Sequence, residues 1–255
     1  MRFWVAWQFL TVLPAPRRGQ PVAEGLGKSL DFFPVVGLVL GLALFGLDWV
    51  MGLFLPLGLV NALLVAALVV LTGALHLDGF IDTCDGLAVA SSTRDKLRAM
   101  GDSRVGGFGV VGGCCLIVCK FAALAALPGV LRGAALILMP VLGRWGMVGA
   151  VSFFGSAKKQ GMGSLVKQEA GWKSAALATV FSVVVAMVLL GWWGVAVLGG
   201  LCLVLLGASK WLCHVFGGLT GDMYGAIGEF AELAVLILIV LVGGLGGCGW
   251  LGSLL

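Results

Sequence analysis

Asp78, Asp82 and Asp85 stand at positions i, i+4 and i+7. On a helix of 3.6 residues per turn they fall within about 40° of one line. Three carboxylates on one face repel one another unless a cation sits between them, and oxygen-only donors at that density suit Mg²⁺, Mn²⁺ or Ca²⁺ better than zinc. The stretch around them, residues 76–109, holds five of the twelve acidic residues, with Asp95 and Asp102 completing the set. It also holds four of the sixteen basic residues: Arg94, Lys96, Arg98 and Arg104. Ser103 adds a hydroxyl, and Gly106, Gly107 and Gly109 offer backbone N–H groups at the start of a helix. Asp78-Gly79 and Asp85-Gly86 also read as simple turn pairs. The neighbouring cations and glycines favour the other reading, because carboxylates, arginines and a glycine-rich helix N-terminus together suit a bound polyphosphate.

A second polar island follows late in the chain: Gly218-Leu219-Thr220-Gly221-Asp222, then Gly225, Glu229 and Glu232. Asp222 and Glu229, seven residues apart, share a helix face, and Glu232 lies on its flank. Packed against the first island, this face predicts a site of five or six carboxylates, enough for two metal ions. The chemistry expected is phosphoryl transfer, in which metal ions neutralise a pyrophosphate while an alcohol attacks one phosphorus in line.

The elements that must position these groups are set by composition. The chain is 60% hydrophobic and only 11% charged, with mean hydropathy +1.12. That leaves too little polar surface for a soluble globule of 255 residues, so the chain reads as an integral membrane protein. At about 20 residues per span, the candidates are 35–55, 57–76, 107–127, 130–152, 174–192, 194–213 and 231–251. The expected fold is therefore all-α, one polytopic domain over residues 1–255 with about seven transmembrane helices. The boundaries at Pro56, Pro128 and Gly191 are short turns between runs of similar hydropathy. Lys120 and Arg144 fall inside spans, where a charge must face protein, a cavity or an anion. The glycines at 191, 194, 199, 200 and 207 are expected to allow close helix packing. Residues 155–173 read as a basic, mobile cytoplasmic loop.

An N-terminus in the cytoplasm puts thirteen basic residues on the cytoplasmic side: Arg2, Arg17, Arg18, Lys28, Arg94, Lys96, Arg98, Arg104, Lys158, Lys159, Lys167, Lys173 and Lys210. Only Arg132 falls outside. The two acidic islands then face the cytoplasm. This rule accounts for the net charge of +4, so no nucleic-acid partner is called for, and the basic loops suit anionic lipid. The seven scattered cysteines, Cys248 the last, lack a CxxC pair and read as small apolar packing residues. The opening MRFWVAWQFLTVLPAP reads as a retained, partly interfacial helix rather than a signal peptide.

Two strings carry a resemblance: Leu75-His76-Leu77-Asp78-Gly79-Phe80-Ile81-Asp82-Thr83-Cys84-Asp85-Gly86, and Asp102-Ser103-Arg104-Val105-Gly106-Gly107-Phe108-Gly109. With Phe33-Pro34-Val35-Val36-Gly37, Lys120-Phe121 and Gly218-Leu219-Thr220-Gly221-Asp222, the chain resembles the cobalamin synthase family, the adenosylcobinamide-GDP ribazoletransferases. Gly101 departs from it, standing where many members carry a basic residue. The resemblance implies that the 3′-hydroxyl of α-ribazole, or of its 5′-phosphate, attacks the cobinamide-side phosphorus of adenosylcobinamide-GDP and GMP leaves, with Mg²⁺ required. In that scheme Asp78, Asp82 and Asp85 are metal ligands. Asp82, Asp102 and Arg104 are the catalytic candidates, Asp102 as a further ligand or as the base. His76, Arg98, Ser103, Lys120, Asp222 and Glu229 are the substrate-binding candidates, and a homo-oligomer is compatible with the scheme.

Two other readings share some of these features. A phosphotransferase of the CDP-alcohol type uses the same carboxylate logic, but there Asp-Gly leads into an Ala-Arg pair, whereas here Phe80-Ile81-Asp82-Thr83 follows Gly79. An ion-coupled transporter predicts acids spread at mid-depth along several spans. Here the acids are expected to cluster at one face.

Overall fold

The computed structural model describes residues 2–16, 25–157 and 162–247. The helices in order are α1 (Arg2–Leu10), α2 (Phe33–Gly52), α3 (Leu57–Leu71), α4 (Leu75–Ala88), α5 (Thr93–Ala99) and α6 (Gly107–Ala125). There follow α7 (Gly129–Phe153), α8 (Met162–Glu169), α9 (Trp172–Leu190), α10 (Trp192–Phe216) and α11 (Gly221–Val242), and a 3₁₀ turn over Gly27–Phe32 leads into α2. Six segments, built on α2, α6, α7, α9, α10 and α11, are long and apolar enough to cross a membrane, and α3 with α4, bent by 92° at their break, pass the same test only together, as a broken span or a re-entrant loop. The chain is an all-α, multi-pass membrane protein.

α7 is the axis of the bundle, with 83% of its spanning window buried against 28% for α10 and 33% for α9. Leu203 and Val188 on the latter two helices are exposed, as lipid-facing side chains should be. α2 sits on α7 through Gly37 and Gly41, where an added Cβ would lie 2.5 Å from the Pro140 carbonyl and 2.6 Å from that of Ile137. That four-residue glycine spacing is the packing signal the sequence carried there. Of the glycines at 194, 199, 200 and 207, Gly194 alone meets neighbouring backbone, that of Ala186. Gly191 supplies a left-handed turn at φ +57°, Gly200 touches only the Leu238 side chain, and Gly199 and Gly207 pack against nothing. Cys114, Cys115 and Cys119 are exposed on α6 rather than packed.

Two expected boundaries move, and both matter for the site. The second span does not end at residue 76. α3 stops at Leu71, Thr72 returns its hydroxyl to the Leu68 carbonyl at 2.9 Å, and Gly73 and Ala74 take φ +62° and +57°. The chain then re-enters a helix, α4, which carries Asp78, Asp82 and Asp85. The last span begins at Gly221 and not near residue 231, with the Thr220 hydroxyl accepting the Met223 amide at 3.3 Å as its N-cap. Asp222, Glu229 and Glu232 lower the hydropathy of that first stretch, which conceals its helical start.

The loop of 155–173 is docked where it is described. α8 occupies part of it, Lys167 donates to the Ser152 carbonyl at 2.8 Å, and the Ala157 amide pairs with the Leu219 carbonyl at 2.9 Å. These contacts tie it to the start of α11. Lys28, α5, α8 and Lys173 lie at that same end of the bundle. Arg132, at the other end, is neutralised: its Nη2 donates to Asp48 Oδ1 and to Asn61 Oδ1, both at 2.7 Å. Arg17, Arg18, Lys158, Lys159 and Cys248 lie outside the described residues.

Candidate active site

α4 runs antiparallel to both α11 and α6. Toward α11, His76 faces Gly225 and Gly79 faces Asp222, where an added Cβ would come 2.5 Å from the Asp222 carbonyl. Toward α6, Ile81 meets Gly113, Cys84 meets Gly112 and Asp85 meets Gly109. Small residues on one side and apolar ones on the other let α4 wedge between two spanning helices. Its remaining face carries Asp78, exposed, and Asp82, half-buried. Asp78, Asp82 and Asp85 do stand on one helix, and the second island packs against that helix at Gly79, through the Asp222 backbone, rather than on the face of Asp78 and Asp82.

Asp85 departs from its expected role. One carboxylate oxygen accepts the Gly106 amide and the other the Gly109 amide, each at 2.7 Å. Asp85 is thus the cap of α6, a carboxylate on the positive end of a helix. The correction is double, because the two amides expected to cradle a phosphate are already engaged. An anionic side chain satisfies the same N–H groups an anionic ligand would.

Lys120 and Glu229 also depart from the expectation that they bind substrate. Lys120 Nζ donates to Glu229 Oε2 at 2.6 Å and to Glu232 Oε2 at 2.5 Å, and Arg144 Nη1 donates to Glu232 Oε1. All four side chains are buried, Glu232 and Arg144 at 1% exposure. Gly143 makes the room, since a Cβ there would lie 2.7 Å from Glu232 Cγ. Two cations and two anions inside the spans neutralise one another, which is what membrane depth demands. Acids therefore do stand at depth, contrary to the expected clustering at one face, but they pair with bases of α6 and α7.

Asp102, Ser103 and Arg104 lie exposed between α5 and α6, a segment anchored by Met100 against Gly86. Arg104 Nε and Nη2 donate to the two oxygens of Asp102, at 3.2 and 3.0 Å. Those bonds hold the Asp102 carboxyl down to about 2. So weak a base receives a proton poorly, and the pair offers the guanidinium rather than the carboxylate. Arg98 stands exposed on α5 nearby. His76 is buried at 3% exposure while Asp78 is not, so the two point apart as their spacing predicts.

The acids fit a hard divalent cation in kind, being oxygen donors alone. Their arrangement is not a closed ligand set: among the described residues no three His, Cys, Asp or Glu side chains converge closely enough to hold an ion. With Asp85 capping a helix and Glu229 and Glu232 in the buried network, the five or six expected ligands reduce to Asp78, Asp82 and Asp222.

A family model described as cobalamin-5-phosphate synthase matches residues 2–240. The chain belongs to the cobalamin-5-phosphate synthase family. A relative from Geotalea daltonii, named adenosylcobinamide-GDP ribazoletransferase, is 40% identical over 89% of this chain and 92% of its own. Relatives of the same name from Pseudomonas entomophila and Acetivibrio thermocellus are 38% and 35% identical, covering 89% and 87% of this chain and 93% and 90% of their own. No solved structure matches. The synthase match takes in α4, the Asp102–Arg104 pair and the start of α11, so the whole candidate site lies within the family's common region. Sequence reasoning missed Tyr224, whose signal was being the only tyrosine in the chain, two residues from Asp222. It also missed Asp48 and Asn61 as the partners of Arg132.

Proposed function

We infer that this protein is an adenosylcobinamide-GDP ribazoletransferase, completing the nucleotide loop of adenosylcobalamin at the membrane. The observation that carries the reading within the site is the crossing of α4 on α11 at Gly79, which brings the helix that carries Asp78 and Asp82 against the Asp222 backbone. The family match and the relatives' shared name supply the substrates, adenosylcobinamide-GDP and α-ribazole or its 5′-phosphate.

In the reaction, the 3′-oxygen of α-ribazole forms a bond to the cobinamide-side phosphorus, the bond from that phosphorus to the bridging oxygen breaks, and GMP leaves. Asp78 and Asp82, with Asp222, are the residues that would hold Mg²⁺, and the ion when bound supplies positive charge to the pyrophosphate. Arg98 and Arg104, exposed at the same end, are suited to phosphate oxygens, Arg104 with its fork already oriented by Asp102. Asp102, whose basicity Arg104 suppresses, is a poor receiver of the hydroxyl proton. The active site faces the cytoplasm of a bacterial inner membrane in this reading. Lys28, Arg94, Lys96, Arg98, Lys167 and Lys173 support that orientation, since they stand at the site's end of the bundle while Arg132 at the other end is paired.

The test is GMP release by the detergent-solubilised protein given adenosylcobinamide-GDP and α-ribazole, with Mg²⁺ or with EDTA. Metal-dependent release, lost in Asp82→Asn, is the expected result. Absence of release with either form of ribazole would overturn the assignment, and CDP-activated alcohols would be tried next.

A further inference from the structure

On the His76 side of α4, where it meets the start of α11, lies a cavity of about 250 Å³. Its wall is built largely of apolar side chains from α1, the 3₁₀ turn, α2, α7 and α8, Leu30, Phe33 and Val151 among them. Its polar groups are few: His76 on α4, and Asp222 and Tyr224 on α11. His76 and Tyr224 are 3% and 5% exposed, and among the described residues His76 Nε2 and the Tyr224 hydroxyl are both buried without a hydrogen-bond partner. Two buried polar atoms left unpaired on residues that line an apolar chamber are costly, at roughly 1–3 kcal/mol each. A ligand that pairs with them recovers that loss.

We propose that this cavity seats the benzimidazole ring of α-ribazole, with His76 or Tyr224 donating to its free ring nitrogen and Asp222 marking the side toward the ribose. The proposal rests on the ribazoletransferase reading and names the subsite it leaves open. Size argues first: the chamber is smaller than the roughly 300–1,000 Å³ of pockets for drug-sized ligands, which suits a bicyclic ring and excludes a corrin. Polarity argues next. A dimethylated benzimidazole riboside presents two methyl groups and one unsubstituted ring nitrogen, matching an apolar wall with a donor or two. Guanine, the other ring in the reaction, presents several donors and acceptors, and most of them would go unpaired here. An acyl chain would leave both His76 and Tyr224 unpaired. Position argues last: Asp222 both lines the cavity and, through its backbone, meets Gly79 of α4, so a ring seated there lies against the helix that carries Asp78 and Asp82.

The test varies each substrate separately in the GMP-release assay and measures binding of α-ribazole alone by equilibrium dialysis. Val151→Phe fills the chamber and Tyr224→Phe removes one donor while keeping the shape. Val151→Phe is expected to raise the KM for α-ribazole about tenfold or more, the scale of a blocked apolar pocket, and to leave the KM for adenosylcobinamide-GDP within about twofold. Tyr224→Phe and His76→Gln, which do not fill the chamber, should raise the same KM by about 3–10-fold in one or both variants. In dialysis the wild type binds α-ribazole and Val151→Phe does not. A rise confined to the KM for adenosylcobinamide-GDP would give the cavity to guanine and overturn the proposal. Unchanged KM and binding for α-ribazole in all three variants, or no binding by the wild type, would overturn it as well. Failure of the enzymatic reading has a different signature: α-ribazole still binds, but the wild type releases no GMP.

Discussion

The carboxylate of Asp85 accepts the amide of Gly106 at 2.7 Å, which joins the end of α4 to the start of α6. Its second oxygen holds Gly109, so both glycines are required: a Cβ at either would fall 2.3–2.4 Å from an Asp85 oxygen. Asp85→Ala should therefore act on stability, by about 1–3 kcal/mol for a charge-assisted cap. Thermal unfolding in detergent should show the loss. Asp82→Asn should abolish GMP release, whereas Asp85→Ala should retain it in the protein that stays folded. Loss of release by folded Asp85→Ala would return Asp85 to the chemistry.

Gly79 sets how closely α4 approaches Asp222. Gly79→Ala forces the two helices apart, because the new methyl group would overlap the Asp222 carbonyl. A displacement on the order of 1 Å at reacting groups lowers a rate by up to about 100-fold. The expected result is a kcat at least tenfold down in a protein that still folds and inserts. A fully active Gly79→Ala would show that the crossing does not govern the chemistry.

The buried network should show coupling. Lys120→Met leaves Glu229 without its cation and Glu232 with only Arg144, at a cost on the order of 3–5 kcal/mol. Adding Glu229→Gln to Lys120→Met removes the stranded charge and should restore most of that stability. A double-mutant cycle followed by unfolding in detergent reads the coupling directly. Strict additivity of the two single effects would contradict the pairing.

The pH dependence of Asp102 has a defined sign. Its folded-state carboxyl is depressed to about 2 from the ordinary value of 3.8. Whatever the pair with Arg104 contributes is present above 3.8 and is lost as pH falls toward 2. Both groups are exposed, so the contribution to stability is small. Across roughly pH 5 to 9 Asp102 stays ionised, and any limb in the rate profile comes from another group. Profiles of wild type and Asp102→Asn should then have the same shape, whatever the difference in height. A limb that vanishes in the variant would restore Asp102 as the base.

Much of this architecture was legible because it rests on repetition. Long apolar runs marked the spans, prolines at 56 and 128 marked where helices begin, and the 4-and-3 spacing of Asp78, Asp82 and Asp85 marked a face. What was hidden depends on partners distant in the chain. Nothing local to Asp85 says that its oxygens meet Gly106 and Gly109, more than 20 residues on, and nothing local to Glu229 says that Lys120 awaits it. Hydropathy alone also misplaced the start of α11, because it scores a charge by type and not by whether a partner cancels it. The break at Gly73 and Ala74 was obscured in another way, since Leu75 and Leu77 continue the apolar pattern across it.

Lys120 and Arg144 are also a matter of timing. Their acidic partners follow 109 and 88 residues later in the chain. At a synthesis rate of about 5–20 residues per second, that is a delay of roughly 5–20 seconds during which α6 and α7 carry uncompensated charges of about 2.5–3.5 kcal/mol each on an insertion scale. The pairing that neutralises α6 and α7 is therefore made only when α11 arrives. A nascent chain cut before Glu229 should be a substrate for membrane quality control.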